Sequence, residues 1–230
     1  MSAATAPAAA LRVSPREYRL VVERLLQYAG LDRGLVVPLR DTVLDAELAT
    51  GAALRYVVEH SDRLTACAPA RVAGHGVPSL LAAPSVLDDA RRLGSVTVRG
   101  LDAPELLRGL RVSAARCGVA AEVTVGEDAV RVAVTGPAPA AASVAERLAG
   151  GPERLAAMTD GIAMDADLWW RAYRRSNLAL SVDTRISRRH AGATIVEEDG
   201  TVRGATDDEI DPTVYSGDRE ALFDESKERT

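Results

Sequence analysis

The chain has 230 residues, 47% of them hydrophobic but only 3% aromatic, and 28 basic against 33 acidic side chains give a net charge of −5. That length permits a substantial core, and the composition requires it to be built from Ala, Leu and Val. Lys227 is the single lysine and the other 27 basic residues are arginine, which excludes a Schiff base, a pyridoxal phosphate anchor or a P-loop nucleotide contact in the body of the chain.

The opening Met1 to Ala10 is Ala-rich without a basic n-region and reads as a frayed end, not a signal peptide. Ser14, Pro15 and Glu17 form a capping box, and Tyr18, Val21, Val22, Leu25 and Leu26 trace one helical face up to Gly30. A second helix is predicted from about Gly34 to Ala49, with Pro38 in its first turn, and a short third one from Ala52 to Glu59. Ser61 to Pro78 reads as loop, and Ser79 to Leu93 as a helix interrupted or kinked at Pro84.

Ser95 to Arg99 alternates as a strand, with Val96 and Val98 on one face. Ala103 to Cys117 returns to helix with Asp102 as cap, and Ala121–Val125 and Val130–Val134 flank the hairpin signal Gly126-Glu127-Asp128. The order strand, helix, strand, strand predicts one crossover followed by an antiparallel partner. A short helix is expected over Ser143–Leu148, and Asp165 or Asp167 caps another that reaches about Asn177 and carries Trp169 and Trp170. Glu198 to Thr201 has the makings of a last hairpin. The fold class is α+β: a helical N-terminal part followed by a small mixed sheet with packed helices. The expected layout is a disordered end over 1–12, one domain over 13–197 and a largely disordered acidic tail over 198–230.

Charge is unevenly placed. From Val196 to Thr230 there are 12 acidic and 4 basic residues, so the preceding part is mildly basic. Aromatics are scarce and no basic stripe follows one helix, which argues against nucleic acid. No apolar run approaches the ~20 residues of a membrane span. Cys67 and Cys117 lack CxxC spacing, and with His60, His75 and His190 they make no Cys/His metal cluster. Both thiols are expected buried or partly buried in a reducing cytoplasm.

The densest polar chemistry lies between Asp183 and Ala193, where Arg185, Ser187, Arg188, Arg189 and His190 follow the Trp helix. Guanidinium forks and hydroxyls in one loop suit a carboxylate or phosphate, and His190 supplies acid or base chemistry near neutral pH. The alternative is that these arginines only fasten the loop to neighbouring carboxylates. Adjacent tryptophans lie ~100° apart on a helix, so one of Trp169 and Trp170 packs inward while the other, with Arg174, faces a groove or interface. His75, between Gly74 and Gly76, is a further ligand contact by exposure. His60, at a helix end, reads as structural.

Ser14, Glu17, Ala29-Gly30 and Gly34, the run Pro84 to Leu107, and Ser187-Arg188 with Gly192-Ala193 and Asp199 together resemble a bacterial domain family of roughly 200 residues with no assigned reaction. That family ends in a Ser-Arg, Gly-Ala-Gly-Ala, Asp-Asn-Asp pattern; here the second Gly is absent and Asp199-Gly200 stands at the acidic end. The resemblance implies a single domain and importance of the late loop. Val13 to Leu54, in the pattern Ala29-Gly30-Leu31 then Leu44-Asp45-Ala46-Glu47-Leu48, is also similar to the malate/sulfolactate dehydrogenases, although Gly51-Ala52-Ala53 replaces their Ser-His-Gly.

These residues predict a cytoplasmic protein that binds a small anionic metabolite, with the enzyme question open. The alternative is a non-catalytic partner subunit whose exposed Trp and basic loop meet another protein chain.

Overall fold

The computed structural model describes residues 10–66, 77–180, 195, 196, 202 and 203. The chain divides after Leu180 into two units. In the second, β6 (Ile195–Val196) and β7 (Val202–Arg203) pair antiparallel, as the hairpin signal between them predicts. The first unit carries everything that follows.

Its strands and helices run β1 (Ala10–Val13), α1 (Pro15–Tyr28), α2 (Arg33–Thr50), α3 (Ala53–Ala66), α4 (Ser79–Leu93), β2 (Ser95–Arg99), a 3-10 turn over Pro104–Gly109, and α5 (Leu110–Arg116). Then come β3 (Val119–Val125), β4 (Ala129–Pro137), α6 (Val144–Ala149), α7 (Pro152–Asp160), β5 (Ile162–Asp165) and α8 (Ala166–Ser176). The class is α+β, and a helical part precedes the larger sheet.

Local chemistry explains most of the helix ends. The Ser14 hydroxyl accepts from Glu17 N while the Glu17 carboxylate reaches back, which completes the capping box of α1. Asp165 caps α8 by accepting from Leu168 N at 2.8 Å. Pro38 sits in the second turn of α2, later than expected, so one backbone hydrogen bond is missing there. The third helix continues to Ala66 past a kink at His60 (φ −127°, ψ 22°), close to its predicted end.

Two apolar cores form. The first joins α1, α2, α3 and α8 around Tyr18, Leu25, Leu44, Leu54 and Trp169, with Val13, Ile162 and Met164 of the β1–β5 pair closing one end. That pair begins at Ala10, inside the stretch read from sequence as a frayed end. The second core packs α4 and α5 on one face of a three-stranded sheet through Ala83, Leu87, Leu107, Leu110, Val130 and Val132.

The sheet order is β2-β4-β3, and both pairings are antiparallel. β4 therefore lies between the two strands that the crossover reading set side by side. Val130 and Val132 on β4 are fully buried, whereas β2 and β3 are only partly so, and the most buried strand takes the centre. Gly126 N donates to Ala129 O at 2.9 Å in the tight turn that joins β3 to β4.

The 3-10 turn lies against α2 at Gly109, where a Cβ would come 2.5 Å from the backbone of Ala46. Asp102 does not cap the turn, whose N-cap is Ala103. Its carboxylate instead accepts from Ser79 N and Oγ at 3.0 and 3.2 Å and from the Tyr56 hydroxyl at 2.6 Å, tying α3 to the start of α4. No helix among the described residues is long and apolar enough to cross a membrane.

Candidate functional site

Glu47 lies on the apolar stripe of α2, four residues after Val43, and is only 4% exposed. Its Oε2 accepts from the Tyr18 hydroxyl at 3.2 Å and from Leu54 N at 2.7 Å. Helix α3 starts without a capping side chain of its own, so a carboxylate from α2 satisfies its first turn and meets the positive end of its dipole. Burial pushes the Glu47 carboxyl above its ordinary value, against the pull of the Leu54 amide. The Tyr18 hydroxyl is raised well above its own, chiefly by burial and then by the Glu47 charge.

Two residues earlier, Asp45 is fully buried. Arg154 of α7, itself 5% exposed, donates to Asp45 Oδ1 from Nε at 2.7 Å and from Nη2 at 2.6 Å. Ser113 of α5 donates to Oδ2 at 2.7 Å, and Arg116 stands 3.6 Å away. Burial still raises the Asp45 carboxyl, since desolvation exceeds what Arg154 and Ser113 return. This network joins α2, α5 and α7 and holds α7 in place.

Beside that joint, a cavity of about 420 Å³ opens between α2, α7 and the β1–β5 pair. Leu48, Ala156, Ala157 and Ile162 form apolar walls, and Arg12, Glu47, Glu153 and Asp160 supply the charge. Arg12 donates to Gly161 O at 3.3 Å, and Glu153 pairs with Arg111 at 3.2 Å. Asp160, exposed at the unfavourable C-terminal end of α7, has no hydrogen bond or ion pair among the described residues. With Glu47 bonded inward and Glu153 paired to Arg111, Asp160 is the carboxylate the cavity presents unpaired among the described residues, and the volume is in the range of small-ligand pockets.

Of the residues singled out from sequence, His75, Arg185, Ser187, Arg188, Arg189 and His190 lie outside the described residues. Trp170 and Arg174 are both on the exposed side of α8, whereas Trp169 is in the core, so the two tryptophans divide as the helical geometry requires. The ring of Trp170 meets Tyr173 edge to face at 5.7 Å. His60 stacks on Tyr56 at 4.8 Å and donates from Nδ1 to the Tyr56 carbonyl, which fits a structural part. Ser79 donates its hydroxyl proton to Asp102 and accepts from Ala103 N, so its oxygen is committed to the fold. Cys117 is exposed, contrary to the expectation of a covered thiol, because it falls at the C-cap of α5 beyond the buried face.

Glu47, Asp45, Arg154 and Asp160 were not anticipated. The position of Glu47 on an apolar stripe was the available signal for it; the partners of the other three come from distant segments. No protein-family model, curated protein or solved structure matches the chain.

Proposed function

We propose that this chain is a cytoplasmic small-molecule-binding protein whose ligand carries an ammonium or guanidinium group on a short apolar body. The observation that supports the reading is the cavity over Glu47, with its apolar walls and the carboxylate of Asp160, which is unpaired among the described residues. Arg154 and Asp45 keep α7 fixed to α2, so the wall stands ready before a ligand arrives.

The test is thermal denaturation of the full chain with putrescine, agmatine and arginine on one side and phosphate, citrate and malate on the other. Amine probes raise the melting temperature and the anions do not. Asp160→Asn abolishes the amine shift while leaving the ligand-free melting temperature in place, because Asp160 makes no hydrogen bond or ion pair among the described residues. Stabilisation by the anions alone, surviving Asp160→Asn, rejects this reading and favours the anion site expected at Arg185, Ser187, Arg188, Arg189 and His190.

A further inference from the structure

Helix α8 carries three arginines, and the fold uses one of them. Arg175 donates from Nη1 to Val58 O at 2.8 Å and from Nη2 to Ser61 Oγ at 2.7 Å, and its guanidinium lies 5.8 Å from the Tyr28 ring centroid. Arg171 and Arg174 are exposed and have no hydrogen bond or ion pair among the described residues. Other exposed arginines, Arg16, Arg33, Arg99, Arg108, Arg131 and Arg147, likewise have no ion pair among the described residues, so what sets Arg171 and Arg174 apart is the exposed aromatic pair beside them. Asp167, one turn before Arg171, does not pair with it.

Beside this unpaired charge stands apolar area that the composition makes unusual. The chain has two Trp, five Tyr and one Phe. Tyr18, Tyr56 and Trp169 are buried; Trp170 is 48% exposed and Tyr173 40%, and Tyr28, with the Arg175 guanidinium over its ring, is 46% exposed. Leu178 and Leu180 continue the exposed apolar area just beyond the helix.

We propose that the exposed side of α8 is a docking surface for an acidic segment of another protein, one that sets an apolar side chain against Trp170 and Tyr173 and carboxylates against Arg171 and Arg174. Trp, Tyr and Arg are the residues that most often dominate binding energy at protein interfaces. The face is also stiff. Leu168, Trp169, Ala172 and Ser176 bury the opposite side of α8, Arg175 ties the helix to α3 and lies over Tyr28 of α1, and Trp170 and Tyr173 brace each other. Trp170 and Tyr173 lose little side-chain freedom when this surface is covered. Two unpaired guanidinium groups select for carboxylates in the partner and speed its approach. This surface is separate from the cavity over Glu47, and either assignment stands without the other.

The experiment uses the full chain and three fluorescein-labelled probes: an amphipathic peptide of Glu, Leu and Trp, the same peptide with Lys for Glu, and a single-stranded oligonucleotide. Anisotropy gives the affinity, and sedimentation of the unlabelled protein gives its oligomeric state. The Glu peptide binds, weakens as salt rises, and loses about tenfold or more in affinity in R171E/R174E and in W170A. The charge-reversed chain takes the Lys peptide in its place, a readout that a merely unfolded variant does not give. Equal binding of both peptides, binding of neither, or preference for the oligonucleotide overturns the proposal. So does self-association abolished by W170A, which assigns the face to a second copy of the chain.

Discussion

Arg154 donates to Asp45 across 109 residues of sequence, and both side chains are withdrawn from water. A buried ion pair adds little net stability against an apolar replacement, but removal of one partner strands a charge. Asp45→Ala and Arg154→Ala are therefore each expected to cost about 3–5 kcal/mol in urea unfolding. Asp45→Leu with Arg154→Met costs much less than the two single changes added together. Additive losses would show that the two side chains act separately.

Gly109 and Gly51 separate two reasons for glycine. A Cβ at Gly109 meets Ala46 backbone at 2.5 Å, and backbone cannot swing aside as a flexible side chain does. Gly109→Ala is expected to cost about 1–3 kcal/mol or more through overpacking. Gly51 adopts φ 66° with open space around a Cβ, so Gly51→Ala costs only about 1 kcal/mol of left-handed strain. Melting temperatures of the two variants order them, and a larger loss at Gly51 contradicts the packing argument.

Glu47 makes stability depend on pH in a definite sense. Its folded-state proton affinity is raised by burial, so the folded protein holds the proton longer than the unfolded chain. That contribution is fully present below the ordinary carboxylate value and is lost as pH rises through the raised folded value. Glu47→Gln keeps an acceptor for Tyr18 and Leu54 and removes the titration. Urea unfolding from about pH 4 to pH 8 is expected to show its stability relative to wild type improving with pH. A constant difference across that range would mean that the carboxyl titrates alike in both states.

The two tryptophans respond oppositely to truncation. Trp169→Ala empties a core position and costs about 3–5 kcal/mol. Trp170→Ala leaves urea unfolding nearly unchanged, within about 1 kcal/mol, because half of its surface already meets water. Fluorescence quenching by acrylamide distinguishes them too: Trp170→Phe leaves a shielded emitter and Trp169→Phe an accessible one.

Helix ends and periodicities within a few residues of each other were legible in the sequence. Ser14 with Glu17, Ser143, Asp165 and the turn at Gly126 all satisfy backbone groups close by, and so mark their own elements. The outward turn of Trp170 follows from helical geometry alone. The candidate cavity was not legible, nor were the helix α7 and the strand β5 that help to form it.

What the sequence by itself determined is the α+β class, the confinement of lysine to position 227 and the places where most helices begin. Tertiary structure alone decided that β4 lies between β2 and β3, that β1 meets β5, and that Asp102 ties Ser79 and Tyr56 together where a local cap was expected. It also decided that Glu47 caps α3 from another helix and that Asp45 finds Arg154. The physical reason is range. A cap or a periodic face is settled by groups within a turn or two, whereas a buried carboxylate or a central strand depends on which distant segment supplies its partner when the core closes.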